Sequence, residues 1–490
     1  MNVADIISRH AQERPYAVAI IEGDNIVSYA KLERAIWTAA AHLRRVGIGP
    51  GDVVGLTLPH SALFLVALYA LARIGAVQIS LPVYDPQPMR AAYAGRFGVK
   101  WVVGASDASG LAGLRFALLR AEDVWQGPGA PSAELSFEGG DRPWFIRRTS
   151  GTTNEAKGIA ITHRNALAEM QVQAHCFPGP TDRYLAVVEM GMVYGMHSCE
   201  RTLFGGGTVI IPALPLDLDA FFSSIDRYAI TRLMLTPNHF DLMLPLLPED
   251  AVRCPTVNDV TVSGMMMRES LRREVRRRFS PNLTVRYGSN ESGYLTLADA
   301  AMQEKFPDTI GAAMRGVELE VVDEHDRPVP HGEPGRLRVR TAWMPTGYVN
   351  ASGPSDKTFR NGWIYMGDAG ILSPEGAVFL KGREDDMMNF DGIKIMPADI
   401  EDALLRHPAV AEAAAFPANS PRHQHVPMAA VTVRSAVTPE MLMAHCRQLL
   451  GIRAPMLISI EPSLPKNAMG KIVKRELSAR LAEKLPAALR

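Results

Sequence analysis

The stretch Ala62 to Leu81, ALFLVALYALARIGAVQISL, constrains this chain more than any other segment. Its length approaches that of a bilayer span. Arg73, Gly75 and Gln78 interrupt it, which argues instead for a buried helix that breaks and continues as a strand. A helix apolar on every side needs cover on every side. The chain, with 490 residues of which 47% are hydrophobic, is long enough to supply it. At that size roughly three-quarters of the unfolded surface can be buried. The same length sets an expectation of roughly two to four domains.

The rest of the chain alternates in the same manner. Residues 31–46 place Leu32, Ala35, Ile36, Ala39 and Leu43 on one helical stripe, and Gly47 supplies a stop. Val53 to Leu58 is a short apolar run, and 183–187, 207–212 and 231–236 are further short strands between helices. This pattern predicts an α/β fold with largely parallel sheets. Past about 310, VELEV and RLRVR alternate with period two, the mark of half-exposed strands in a β-rich subdomain. From 386 a helix near 398–406 and strands near 410–416 and 428–434 predict a small α+β domain.

Charge and cysteine content exclude several classes. There are 52 basic and 52 acidic residues, so a nucleic-acid coat held by bulk charge is excluded. The balance is uneven: from Asp386 onward basic residues number 13 against 10 acidic. Cys176, Cys199, Cys254 and Cys446 form no CxxC pair, and reduced thiols in a cytoplasmic protein are expected. The N-terminus MNVADIISRHAQERP lacks the basic start and apolar core of a signal peptide. His423 and His425 have no evident third ligand nearby and are expected in a solvated loop.

Chemistry concentrates in a few segments. Thr149-Ser150-Gly151-Thr152-Thr153-Asn154-Glu155-Ala156-Lys157-Gly158 combines hydroxyls, glycine and a lysine, a loop able to wrap a polyphosphate. It is not a Walker loop, since no glycine precedes Lys157. Alone, it equally describes a turn with a solvated lysine. Tyr287-Gly288-Ser289-Asn290-Glu291 offers an aromatic face, a tight turn and a carboxylate able to hold Mg²⁺. Met366-Gly367-Asp368, Gly382-Arg383-Glu384-Asp385-Asp386 and Pro465-Lys466-Asn467-Ala468-Met469-Gly470-Lys471 follow.

In this order the segments resemble the motifs of the adenylate-forming superfamily, which includes acyl- and aryl-CoA synthetases, adenylation domains of non-ribosomal peptide synthetases and luciferases. TSGTTNEAKG, YGSNE, GEPGRLRVR with TGYVN, MGD, GREDDMMNFDGIKIMPADIE and PKNAMGKI match it across the whole chain. The resemblance implies a large N-terminal AMP-binding domain over 1–384, a mobile lid over 386–490 and a hinge at Asp385. It also implies two steps. A carboxylate attacks the α-phosphorus of ATP, releasing pyrophosphate, and a thiol then attacks the acyl carbon.

By the same resemblance Thr149, Ser150, Gly151, Thr152, Thr153 and Lys157 cradle the pyrophosphate portion. Tyr287 and Gly288 sit against adenine with Asn290 beside them, and Glu291 binds Mg²⁺. Asp368 and Arg383 hold the ribose. Lys471 bridges the carboxylate and the developing charge, so Lys471, Thr152 and Glu291 form the catalytic set. Gly392 faces the thiol tunnel. Lys394, Glu401 and His163 are expected to be structural. Asn154, Ala156, Asn290 and Met366 depart from the family's pattern. Arg147 and Arg148 are either exposed or facing an acid, and the role of His197 is open.

Met192 stands where relatives that bind an ammonium carry an acid, which disfavours an α-amino acid. The resemblance implies an acyl pocket of Met192, Tyr194, Gly264, Met265 and Met266, apolar if the methionines line it. The expected activity is an AMP-forming acid–thiol ligase taking ATP, Mg²⁺, a small carboxylic acid and CoA. An alternative is loading of the phosphopantetheine of a separate acyl or peptidyl carrier protein. Another is a catalytically silent binding relative. No nucleic acid and no membrane span are expected.

Overall fold

The computed structural model describes residues 1–106, 111, 113–132, 135–148, 157–349, 357–391, 393–420, 422–466 and 472–485. The chain divides into two compact units. One comprises Met1–Glu318 and Val339–Ile364, the other Leu319–Arg338 and Tyr365–Arg490.

The long apolar stretch is a buried core element. Its helix, Ala62–Arg73, is buried at every position, and the strand Val77–Ser80 follows. Each interruption has a partner inside the protein. Arg73 pairs with Asp5 at 2.6 Å and Glu33 at 3.5 Å, and its guanidinium lies 4.6 Å over the Trp37 ring. Gln78 donates to the Leu68 carbonyl at 2.8 Å. Gly75 has φ +74°, and a Cβ there would stand 2.5 Å from Phe137. Each large side chain buried this way contributes about 1.5–3 kcal/mol. No helix among the described residues is long and apolar enough to cross a membrane.

The neighbouring helix Tyr29–Arg45 buries the predicted stripe, and Ser28 caps it by accepting from the Lys31 amide at 3.2 Å. These helices pack in the first unit, which holds two large sheets. The nine-stranded sheet has a parallel middle: Leu283–Ser289, Asp259–Val262, Arg232–Leu235, Arg183–Leu185, Thr208–Ile211 and Val18–Glu22, in that order. Antiparallel strands close its edges. The seven-stranded sheet runs Tyr348–Val349, Gly158–Thr162, Pro143–Arg148, Val77–Ser80, Val53–Leu56, Trp101–Gly104 and Arg115–Leu118. Parallel strands give way to antiparallel ones from Gly158–Thr162 outward.

A third, five-stranded sheet contains Val317–Val322, Pro334–Thr341, Trp363–Leu372, Phe359–Arg360 and Val378–Arg383, and the chain passes from one unit to the other within its strands. In the second unit the long hairpin Val410–Ser420 and Gln424–Val433 carries Leu457–Ile460 as a parallel neighbour. Ala413 and Ala415 face one apolar cluster, and Ala414, Phe416 and Ala418 face another. Helices Pro397–Leu405 and Pro439–Leu450 cover the first face, and Lys474–Leu481 the second. The mixed α/β architecture with a β-rich part and a small C-terminal part agrees with the sequence expectation.

Candidate active site

Strand Pro143–Arg148 runs up to the segment 149–156, and Gly158–Thr162 returns antiparallel with Arg148 opposite Gly158. Thr149, Ser150, Gly151, Thr152 and Thr153, with Asn154 and Ala156, lie outside the described residues. Lys157 is described and stands at the return. Its Nζ lies 4.9 Å from the centroid of the Tyr348 ring. The Tyr348 hydroxyl donates to Glu291 Oε1 at 2.9 Å and lies 3.4 Å from Thr358 Oγ1. Tyr348 therefore takes an ammonium on its face and a carboxylate at its edge, the two uses that its quadrupole and hydroxyl allow. Its position is fixed from the backbone, with Tyr348 opposite Ile159, and from Phe359, whose ring centroid is 5.1 Å away, edge-on.

Glu291 sits in the turn between strands Leu283–Ser289 and Gly293–Ala298. That hairpin needs Gly288, because a Cβ there would stand 2.0 Å from the Gly293 carbonyl oxygen. Tyr287 and Gly288 lie at the strand's end, beside a break in register. The Glu291 amide donates to Ser289 Oγ at 3.2 Å, and Trp343 Nε1 donates to the Ser292 carbonyl at 3.1 Å. Asn290 ties the turn to the end of strand Pro143–Arg148: its Nδ2 donates to the Arg148 carbonyl at 2.8 Å, and its own carbonyl accepts from Arg147 at 3.3 Å.

Both arginines before the loop face acids. Arg148 pairs with Asp85 at 2.8 Å and stacks 4.5 Å over Tyr93. Arg147 is buried, 3.6 Å from Glu169, whose other oxygen takes Arg201 at 2.6 Å. His197 Nδ1 lies 3.5 Å from Arg147, and Nε2 lies 3.7 Å from Glu200. Burial, reinforced by Arg147 and Arg201, holds His197 well below its ordinary value. Burial also lifts Glu200 to about 8 against the pull of the two arginines, so both members of that pair are neutral near pH 7. The sequence left the partners of these residues open because Glu169 and Asp85 lie far from them along the chain.

Of the acyl-pocket candidates, Met192 precedes helix Val193–Phe204 and Tyr194 lies in its first turn, both half-buried. The Tyr194 hydroxyl donates to the Leu235 carbonyl at 3.1 Å. Gly264, with φ +86°, turns the chain so that Met265 is half-buried, Met266 is 49% exposed and Met267 enters the core. Met266 thus departs from the expectation of a buried apolar lining. His60 Nε2 donates to the Ala186 carbonyl at 2.8 Å, and burial holds the imidazole at about 4. Burial also raises Glu189 above the ordinary carboxylate value.

In the second unit Asp368 and Arg383 face each other across adjacent antiparallel strands. Arg383 Nη1 stands 3.5 Å from Asp368 and donates to the Met366 carbonyl at 2.9 Å. Gly367, at φ +68°, leaves room for that guanidinium, since a Cβ would lie 2.9 Å from it. Asp385 stands in the short 3₁₀ turn Glu384–Asp386. Gly392 and Lys471 lie outside the described residues. Glu401 accepts from the Ala415 amide at 2.8 Å and pairs with Lys474 at 2.7 Å, a structural use. His423 differs from the expected solvated loop: it is held by Asp391 at 2.9 Å and packs against Phe390.

Among the described residues no group of three acidic, histidine or cysteine side chains is placed to cage a metal ion. A half-buried carboxylate with oxygen donors only, such as Glu291, suits Mg²⁺ carried in on a polyphosphate, because Mg²⁺ keeps most of its ligands as phosphate and water.

With this geometry in hand, the family is defined: the chain belongs to the AMP-binding enzymes of the adenylate-forming superfamily. The AMP-binding enzyme model matches residues 7–349 and the AMP-binding enzyme C-terminal domain model matches 399–471. The chain is 26% identical to 4-coumarate–CoA ligase 5 of Oryza sativa subsp. japonica, over 99% of this chain and 95% of that protein. It is likewise 26% identical to enterobactin synthase component E of Escherichia coli (strain K12), with the same coverage of both chains. ATP-bound MatB from Rhodopseudomonas palustris superposes with a TM-score of 0.89 at 24% identity, covering 99% of this chain and 100% of that one.

Proposed function

We propose that this chain activates a small carboxylic acid with ATP and Mg²⁺ and passes the acyl group to the thiol of CoA. The observation that carries this reading is the convergence of the Lys157 ammonium and the Glu291 carboxylate on Tyr348 beside the root of the phosphate loop. A cation there suits the leaving pyrophosphate and a carboxylate suits its metal ion. The likeness to 4-coumarate–CoA ligase 5 along nearly its whole length supports CoA as acceptor.

In this reading the acid's carboxylate oxygen attacks the α-phosphorus and the bond to pyrophosphate breaks. Thr149, Ser150, Gly151, Thr152, Thr153 and Lys157 hold the departing phosphates. Tyr287 and Gly288 lie against adenine. Asn290 keeps the Glu291 turn at the loop's root, and Asp368 with Arg383 grips the ribose. Lys471 steadies the carboxylate and the charge building on the α-phosphate. Rotation about Asp385 then exchanges Lys471 for the face carrying Gly392, where the thiol enters. Met192, Tyr194, Gly264, Met265 and Met266 flank the acid. The compartment proposed is the cytoplasm.

Loading of a carrier protein's phosphopantetheine is the second reading, favoured by the likeness to a component of enterobactin synthase. Pyrophosphate release measured over a panel of acids, with and without CoA, tests both. Release accompanied by an acyl-CoA product supports the first. Release with an adenylate trapped by hydroxylamine but no acyl-CoA supports the second. No release with any acid overturns both and leaves a silent relative.

A further inference from the structure

The turn that carries Glu291 rests on a buried arginine and its acid. Strand Pro143–Arg148 alternates, with Phe145 in one apolar cluster and Ile146 in another, so Arg147 leaves on the Phe145 face and Arg148 on the other. On that face Arg147 meets Glu169 of helix His163–Val172. Both ends of the turn touch this pair. Arg147 Nη1 donates to the Asn290 carbonyl at 3.3 Å. Gly293, at φ +72°, leaves its space to Glu169, since a Cβ there would stand 2.8 Å from Glu169 Oε1. Arg147, Glu169, Glu291, Ser292 and Trp343 line one narrow crevice.

The carbonyl that Arg147 holds belongs to the peptide group joining Asn290 to Glu291. The N–H of the same group donates to Ser289 Oγ at 3.2 Å. A peptide group is planar, so holding its oxygen on one side and its hydrogen on the other fixes the plane from which the Glu291 side chain departs. Beyond Glu291, Trp343 Nε1 donates to the Ser292 carbonyl at 3.1 Å.

Stability alone does not account for an arginine at this place. Its side chain is 4% exposed, and Nε is buried with no hydrogen-bond partner among the described residues. Burial disfavours the charged form. The contact with Glu169, at 3.6 Å, is longer than a hydrogen bond, whereas Arg201 donates to the other Glu169 oxygen at 2.6 Å. An apolar side chain of similar volume would fill the space without burying a charge, and Glu169 would keep Arg201. Such a side chain would lack the donor to Asn290.

We propose that Arg147 is a positioning residue for the metal-binding carboxylate: it holds the peptide plane between Asn290 and Glu291 and so sets where Glu291 meets Mg²⁺ carried in on ATP. That role rests on the acid-activating reading above, in which Glu291 takes the metal ion.

Calorimetric titration with ATP, once in Mg²⁺ and once in EDTA, tests it without the acid. In the wild type Mg²⁺ tightens ATP binding, and Glu291→Ala removes most of that gain. Arg147→Met reduces the gain by about tenfold, the size usual when a group that orients a metal ligand is lost. Its binding of ATP in EDTA is little changed, and its unfolding midpoint stays within a few degrees of the wild type's. Arg147→Lys, which keeps a charged donor without the guanidinium fork, recovers part of the gain. An equal gain in wild type and Arg147→Met overturns the inference and leaves Glu291's role standing. So does a loss of ATP affinity that is the same in Mg²⁺ and in EDTA, the mark of a merely structural residue. Wild-type binding that Mg²⁺ does not strengthen, or a gain that survives Glu291→Ala, removes the metal role of Glu291 and this inference with it. Absence of ATP binding in either medium removes the acid-activating reading as well. Should Arg147→Met fail to fold, Arg147→Lys decides in its place: an intermediate gain supports the inference, and a gain equal to the wild type's overturns it.

Discussion

Two clusters of candidate residues, one in each unit, are built in opposite ways. Asp368 and Arg383 are register partners on adjacent strands, brought together by the same ladder that forms the hairpin. Glu291, Lys157 and Tyr348 come from three distant segments and are held largely by one another. An ion pair as open as Asp368–Arg383, at 3.5 Å with the arginine side chain 43% exposed, adds little to stability. Its geometry survives loss of either side chain because the backbone sets it. The Glu291 corner lacks that insurance, so each member positions the others and losses there should not add.

The largest effect is expected at the corner itself. Glu291→Ala should lower the rate of adenylate formation by roughly 10²–10³-fold, the range for removing one preorganised electrostatic group. Single-turnover pyrophosphate release checks this, and a loss below tenfold would contradict the role given to Glu291. Next comes Tyr348→Phe, which removes only the hydroxyl and should cost about tenfold, chiefly as a higher KM for Mg·ATP. Combined with Glu291→Gln, the pair should show a coupling of about 0.5–3 kcal/mol, as residues in direct contact do. Strict additivity would break the contrast between the clusters.

Asp368→Asn should act more simply. The ladder and Arg383's bond to the Met366 carbonyl remain, so the loss should be a several-fold rise in KM for ATP with kcat little changed. Combined with Tyr348→Phe its effect should add within about 0.3–0.5 kcal/mol, as independent sites do. Coupling as large as that between Tyr348 and Glu291 would show that the two clusters respond as one.

The same contrast explains what was legible in the sequence. Periodicity located the helix Ala62–Arg73 and its strand because an all-apolar run with three interruptions has few other solutions. The ordered motifs marked Glu291, Asp368 and Arg383 because each stands within three residues of a glycine in a short, recognisable run. Tyr348 stood in plain sight in TGYVN, yet nothing local gave it a partner, since Glu291 is 57 residues away. Arg147-Arg148 had two readings because their acids, Glu169 and Asp85, lie on other elements. The methionines after Gly264 have unlike environments because that glycine redirects the chain.

The smallest effect on activity, and the clearest in stability, is expected from Glu200, the buried acid beside His197 and near Arg147 and Arg201. Its folded value of about 8 exceeds the ordinary 4.5. Below 4.5 both folded and unfolded chains carry the proton. Between 4.5 and 8 the folded chain binds one proton more, so stability falls as pH rises through that window. The slope from one such group is at most about 1.4 kcal/mol per pH unit. Glu200→Gln keeps the neutral shape and removes the titration. Its unfolding midpoint should therefore decline less than the wild type's between about pH 5.5 and pH 7.5, by a few degrees. Parallel pH profiles for the two proteins would mean that Arg147 and Arg201 keep Glu200 ionised. The buried cluster would then be a true charge network rather than one diluted by a neutral acid.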